Sequence, residues 1–241
     1  MLSQSGMKTN TRGRAFPGLV VAAVLMLGAG GAAAAEPPAD RVLEIGRYTS
    51  DRGKMLGQRY QETLKSLNAK VYHCMPWIDV KTEGIGFYKP KHLDGDTRYL
   101  SLNVVVDQHP SPEFSRLAVQ DRVSSMFSRY VPHLLRSMAT DDLINEPTVD
   151  GFTVIVSWLK IEPPAGQPPV FETAATFVAK ALAVDYLRGR ANIGQLAGGA
   201  HVLAWDGDTK LGAMKPKAWP DDFVLTYKVA GYTPDPRVTC R

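Results

Sequence analysis

Residues 151–161, GFTVIVSWLKI, constrain the fold more than any other stretch. Successive side chains of a strand point to opposite faces. Here Phe152, Val154, Val156 and Trp158 fall on one face, and Ile155, Leu159 and Ile161 on the other. A strand that is apolar on both faces belongs inside a sheet, with cover on each side. The strand is therefore expected to lie centrally in a sheet.

The remaining elements can be arranged around that strand. Between 40 and 71, Val42, Ile45, Tyr48, Leu56, Tyr60, Leu64, Leu67 and Val71 recur at three- and four-residue spacing. That spacing predicts an amphipathic packing helix, with TSDRG (49–53) breaking it in two. A second helix is expected over 109–138. Ser111 serves as its N-cap, Pro112 stands at the first helical position and Glu113 favours the dipole end. Leu117, Val123, Met126, Phe127, Tyr130, Leu134 and Leu135 form its buried stripe, and Pro132 predicts a kink or break near Tyr130. Strands are expected at 83–88, 98–106, 170–178, 201–205, 210–215 and 222–229, with short helices at 180–190 and 193–200. The proline-rich EPPAGQPP (162–169) reads as a hairpin loop, since strand-like runs flank it directly; the alternative is a domain linker. Strands follow one another more often than they alternate with helices. The pattern predicts an α+β fold: a largely antiparallel sheet with two main amphipathic helices packed on one face. No internal repeat of 20–50 residues is visible.

The tetrapeptide DGDT occurs twice, at Asp94–Thr97 and Asp206–Thr209. Each copy lies between strand-like runs, where Asp-Gly is a strong turn signal because glycine takes positive φ readily. A calcium loop needs further oxygen ligands at set intervals, which neither copy has. Both are read as turns.

The first 35 residues are expected to be a cleaved signal peptide. Lys8, Arg12 and Arg14 precede an apolar run from Leu19 to Leu27, and Ala33-Ala34-Ala35 form the cleavage region. The apolar run is roughly ten residues, against about twenty needed to span a bilayer. Residues 36–241 then form a single α+β domain in the periplasm or outside the cell. With no cysteine at the cleavage point, no stable membrane anchor is expected after signal cleavage.

Charge is read after that removal. The chain has 28 basic and 24 acidic residues; three of the basic and none of the acidic lie in residues 1–35, leaving 25 against 24, a formal +1. No basic patch remains to track phosphates, which argues against nucleic acid. The two cysteines, Cys74 and Cys240, point to one disulfide in an exported chain. The alternatives are free thiols, or a Cys74 thiolate favoured by His73.

A catalytic centre is not legible. There is no nucleophile elbow or phosphate loop, and His73, His92, His109, His133 and His201 lack zinc-ligand spacing. Asp141-Asp142 read as a solvated turn. Asp221 and Asp222, beside Trp219, with Asp206 and Asp208, are the only carboxylates offered for a glycan hydrolase built from distant loops. The favoured reading is a non-enzymatic binding module with a protein or cell-wall partner, inhibitor- or immunity-like roles included. No cofactor or metal is expected. A small exported hydrolase is the alternative, and a small-ligand binder the third reading.

Overall fold

The computed structural model describes residues 36–107, 110–161, 163–219 and 240. The expected signal peptide, the strand expected at 222–229, and Asp221 and Asp222 lie outside the described residues. Two single 3-10 turns, Ala39–Arg41 and Ile45–Arg47, lead into α1 (Asp51–Arg59) and α2 (Gln61–Cys74). Strands β1 (Ile78–Tyr88) and β2 (Tyr99–Val106) follow. Then come α3 (Pro112–Arg116), α4 (Val119–Met138) and α5 (Asp141–Asn145). The chain continues through β3 (Gly151–Leu159), β4 (Phe171–Ala179), α6 (Lys180–Leu187), α7 (Ile193–Gly199), β5 (His201–Asp206) and β6 (Thr209–Met214).

The six strands form one sheet in chain order, β1-β2-β3-β4-β5-β6. Only the β2–β3 pair is parallel; the others are antiparallel. A parallel neighbour cannot be reached by a tight turn, and the segment carrying α3, α4 and α5 makes the crossover. The expected α+β fold with a largely antiparallel sheet is therefore the one observed. The proline-rich segment joins the antiparallel strands β3 and β4, as a hairpin loop should.

Local signals act where expected at helix starts. Ser50, inside TSDRG, caps α1 by accepting from the Gly53 amide at 3.1 Å. Ser111 accepts from the Phe114 amide at 3.1 Å, with Pro112 first in α3. Asn192 and Gln195 form a reciprocal capping box on α7.

Four expectations are corrected. Residues 40–48 form only the two 3-10 turns, and the helix break falls at Tyr60, while TSDRG starts α1. The helix expected over 109–138 is two, α3 and α4, parted at Leu117-Ala118. Helix α4 is continuous from Val119 to Met138 through Pro132, so no break occurs there. Val131, Leu134 and Leu135 on either side of it are buried in the core, and that packing outweighs one lost backbone bond. Asp141-Asp142 are exposed as expected but open the short helix α5 where a turn was read; Leu143 behind them is fully buried, and the acids sit at the positive end of the helix.

Cross-strand register assigns the core. Phe87, Leu100, Phe152 and Val178 form one row, and Ile85, Leu102, Val154, Thr176 and Val202 the next. Val80, Val104, Val156, Ala174 and Ala204 make a third row. Apart from Thr176, these residues share one hydrophobic cluster with Leu56, Leu64 and Val71 of the first two helices and Val123, Phe127, Leu134 and Leu135 of α4. The buried acid on this face is paired through both oxygens. Glu172, 1% exposed, accepts from Arg122 Nε at 2.7 Å and Trp158 Nε1 at 3.0 Å, and its other oxygen takes a second bond from Arg122. The Cys74–Cys240 disulfide is present, with Cα atoms 5.4 Å apart and 166 residues between its ends. Closing so long a loop restricts the unfolded chain by up to roughly 5 kcal/mol on the chain-entropy account.

Candidate functional site

The other face of the same sheet is built differently. Its rows are Ser101, Thr153, Phe177 and His201, then Asn103, Ile155, Ala175 and Leu203. None of these residues belongs to the core cluster. All but His201 floor a pocket of about 680 Å³, bounded by Thr82, Glu83 and Gly84 at one side, Trp205 and Lys210 at the other, and the Tyr88–His92 segment above. That volume lies within the range of about 300–1,000 Å³ typical of small-molecule sites.

A distortion of β1 shapes one wall. Val80 pairs with Val104 and Ile85 with Leu102, so the four residues 81–84 lie opposite Asn103 alone. Such bulges re-aim side chains and recur beside functional sites. The backbone here is held in a sparsely populated conformation: Glu83 has φ of 55°, in the left-handed region. Gly84 follows because nothing larger fits. A β-carbon there would sit 2.6 Å from the Lys81 carbonyl oxygen and 2.7 Å from that of Asn103. Tyr88 Oη donates to the Glu83 carbonyl at 2.6 Å, and Arg47 pairs with the Glu83 carboxylate at 2.9 Å. Burial, reinforced by neighbouring Tyr48 and Glu83, pushes the Tyr88 hydroxyl up to about 12, so it remains a donor.

An aromatic stack closes the upper end. The His92 ring, on the β1–β2 connection, lies 4.2 Å from the His201 ring and 4.6 Å edge-on from Phe177. Burial in this contact, with the nearby His201, lowers the His92 pKa. Its neutral form is thus the one that packs.

The polar groups of the floor are incompletely satisfied. Asn103 Oδ1 and Thr153 Oγ1 are buried without a hydrogen-bond partner among the described residues, and Thr153 is only 2% exposed. An unpaired buried polar group costs about 1–3 kcal/mol. The charges at the rim are one-sided. Lys89, Lys91 and Lys210 line the pocket, while the lining carboxylate, Glu83, is neutralised by Arg47. Lys81 reaches across the same face to Ser157 Oγ at 3.1 Å.

The residues singled out from sequence lie elsewhere. Asp206 is held by Lys160 at 2.6 Å, and Asp208 is an exposed residue of the two-residue β5–β6 turn, where Gly207 has φ of 56°. The second DGDT is thus a tight hairpin turn. The first lies in the longer β1–β2 connection: Asp96 pairs with Arg98, and its carbonyl accepts from Arg52 at 2.6 Å. Cys74 and Cys240 form the disulfide. Sequence reasoning passed over every lining residue of the pocket as a candidate except His92, which it weighed only as a zinc ligand. The available signal was small polar residues alternating on one face, Ser101 and Asn103, with Thr153 beside them across the pair. No family model, curated protein or solved structure matches the chain.

Proposed function

We propose that this chain is an exported, non-enzymatic binding module whose site is the pocket on the second face of the sheet. The observation that carries the reading is the pair of buried, unpartnered oxygens of Asn103 and Thr153 beneath a concave floor. A scaffold that satisfies Glu172 with three hydrogen bonds on one face and leaves these open on the other favours a ligand that completes them. Hydroxyls, an amide and lysines hold and orient a ligand. Of the lining hydroxyls, Thr82 bonds the Asp40 carboxylate at 3.2 Å, and Arg41 bonds both groups, which favours a held position over an activated nucleophile. A pocket of this scale favours a small molecule, or the end group of a cell-wall chain, over a broad protein surface. The disulfide is compatible with life in an oxidising compartment, the periplasm or the cell exterior. No helix among the described residues is long and apolar enough to cross a membrane.

The test is thermal unfolding of the oxidised mature chain with and without a small-molecule extract of the envelope, followed by native mass spectrometry. An adduct that raises Tm, and that the pocket-filling Ile155→Trp variant fails to retain, is expected. Ile155 is only partly buried and lies outside the core cluster, so the variant should keep its urea midpoint. No adduct, or one indifferent to Ile155→Trp, would sink the reading.

A further inference from the structure

From the layout of the pocket we infer its ligand class: an amphiphilic anion lying across the strands, with its apolar body over β3–β5 and its charged head toward β1–β2. This rests on the binding reading above. The argument is one of position. Ile155, Ala175, Phe177, Leu203 and Trp205 make the floor apolar on the side of β3, β4 and β5. Toward β1 and β2 the floor turns to Thr82, Ser101 and Asn103, with Thr153 alongside on β3. A ligand that is polar or apolar throughout would leave one half mismatched, because buried polar atoms need partners and apolar surface gains from burial.

The sign of the head follows from the charges. Lys89 follows the end of β1 beside the polar half, Lys91 stands next to His92 on the segment above the floor, and Lys210 stands at the far rim. None of the three has a carboxylate partner among the described residues. Asp206, the nearest acid along β5, is paired with Lys160, and Glu83 with Arg47. A cation entering here would meet three unpaired ammonium groups. An anion would meet those groups as counter-charges. Asn103 Oδ1 accepts only, so a head that also carries a hydroxyl fits better than a bare carboxylate. The volume of about 680 Å³ accommodates a body the size of a medium alkyl chain or a few fused rings.

The experiment is calorimetric titration of the oxidised mature chain with three probes of equal chain length: decanoate, 1-decanol and decyltrimethylammonium. It is run at low salt and repeated at high salt, on the wild type, on Ile155→Trp, and on the triple variant Lys89→Gln, Lys91→Gln, Lys210→Gln. Decanoate is expected to bind roughly tenfold more tightly than decanol and more tightly still than the cation. This preference should collapse in the triple variant and weaken with salt, since exposed charges are screened. Ile155→Trp should abolish binding of all three. Equal affinity for the three probes, lost in Ile155→Trp, would overturn the anionic head while leaving the pocket as the binding site. Decanoate binding that survives Ile155→Trp lies elsewhere on the chain and overturns the inference. If no probe binds, the inference fails, and the envelope-extract experiment decides the pocket separately.

Discussion

The two faces of the sheet share the same backbone and the same strands, yet only one is finished. On the core face each row from β1 to β5 is filled, and its one buried acid, Glu172, is matched by Arg122 and Trp158. On the pocket face, among the described residues, Thr153 and Asn103 leave oxygens unpartnered, Glu83 is held at positive φ, and Lys89, Lys91 and Lys210 have no carboxylate partner. Both faces pass through adjacent residues of β3, so the contrast does not come from a poorly ordered region. Stability is concentrated on one side and unfulfilled interaction capacity on the other, an arrangement expected of a binding scaffold.

The sharpest way to break the contrast is to make the core face resemble the pocket face. Replacing Arg122 with Ala strands Glu172 as an uncompensated buried charge and should cost about 3–5 kcal/mol, read as a lowered urea midpoint. If the midpoint barely moves, the pair is not what completes that face.

A second comparison uses neighbours. Phe152→Ala, pointing into the core, should cost about 3–5 kcal/mol. Thr153→Val, one residue on and facing the pocket, removes an unpaired hydroxyl and should be neutral or stabilise by up to about 1 kcal/mol. The same variant should weaken ligand retention. Comparable losses of stability from the two would show that the faces are not distinct.

The bulge gives an intermediate effect. Gly84→Ala forces a methyl against two backbone carbonyls and should destabilise by about 1–3 kcal/mol. Binding should suffer beyond that stability loss, because the wall itself moves. Denaturant unfolding and ligand titration on the same variant check this.

Acid should separate the regions most gently. The lowered His92 pKa means the unfolded chain binds that proton more readily than the folded one. Its contribution is therefore complete above the ordinary histidine value near 6.5 and shrinks as pH falls below it. Glu146, on the helix side, loses its contribution in the same direction but at lower pH. Bonds from Thr148, then Tyr60 and Arg59, hold it down at about 2. Its stabilisation is complete above the ordinary glutamate value near 4.3 and is lost as pH falls from there toward 2. Hydrogen exchange should show the β1–β2 connection loosening first on acidification, with the segment around Thr148 protected until much lower pH. Simultaneous loss of protection would remove the distinction.

Much of the scaffold was legible because it is encoded locally. Ser111-Pro112-Glu113 marks a helix start by its own chemistry, and Asp-Gly marks the β5–β6 turn. The central place of β3 follows from apolar side chains on both faces, and the disulfide from an even cysteine count. Readings failed where packing overrode local preference. Pro132 argued for a break in α4 that the surrounding core suppresses, and Asp141-Asp142, exposed as expected, open a helix around buried Leu143 where a turn was read.

The pocket belongs to the second category altogether. Ser101, Asn103, Thr153, Phe177 and Leu203 are ordinary strand residues in sequence, and the acids that stood out, Asp206 and Asp208, serve a turn and an ion pair. The sequence by itself determined element types, the central strand and the cross-link, because propensity, alternation and cysteine pairing act through near neighbours or simple counting. Only the tertiary structure decided which face stayed open, since that depends on strand register. Register sets Thr153 beside Ser101 and Phe177, and the bulge at residues 81–84 fits the pocket wall against Asn103. These long-range pairings are fixed by the balance of the whole core and are not written in any one segment.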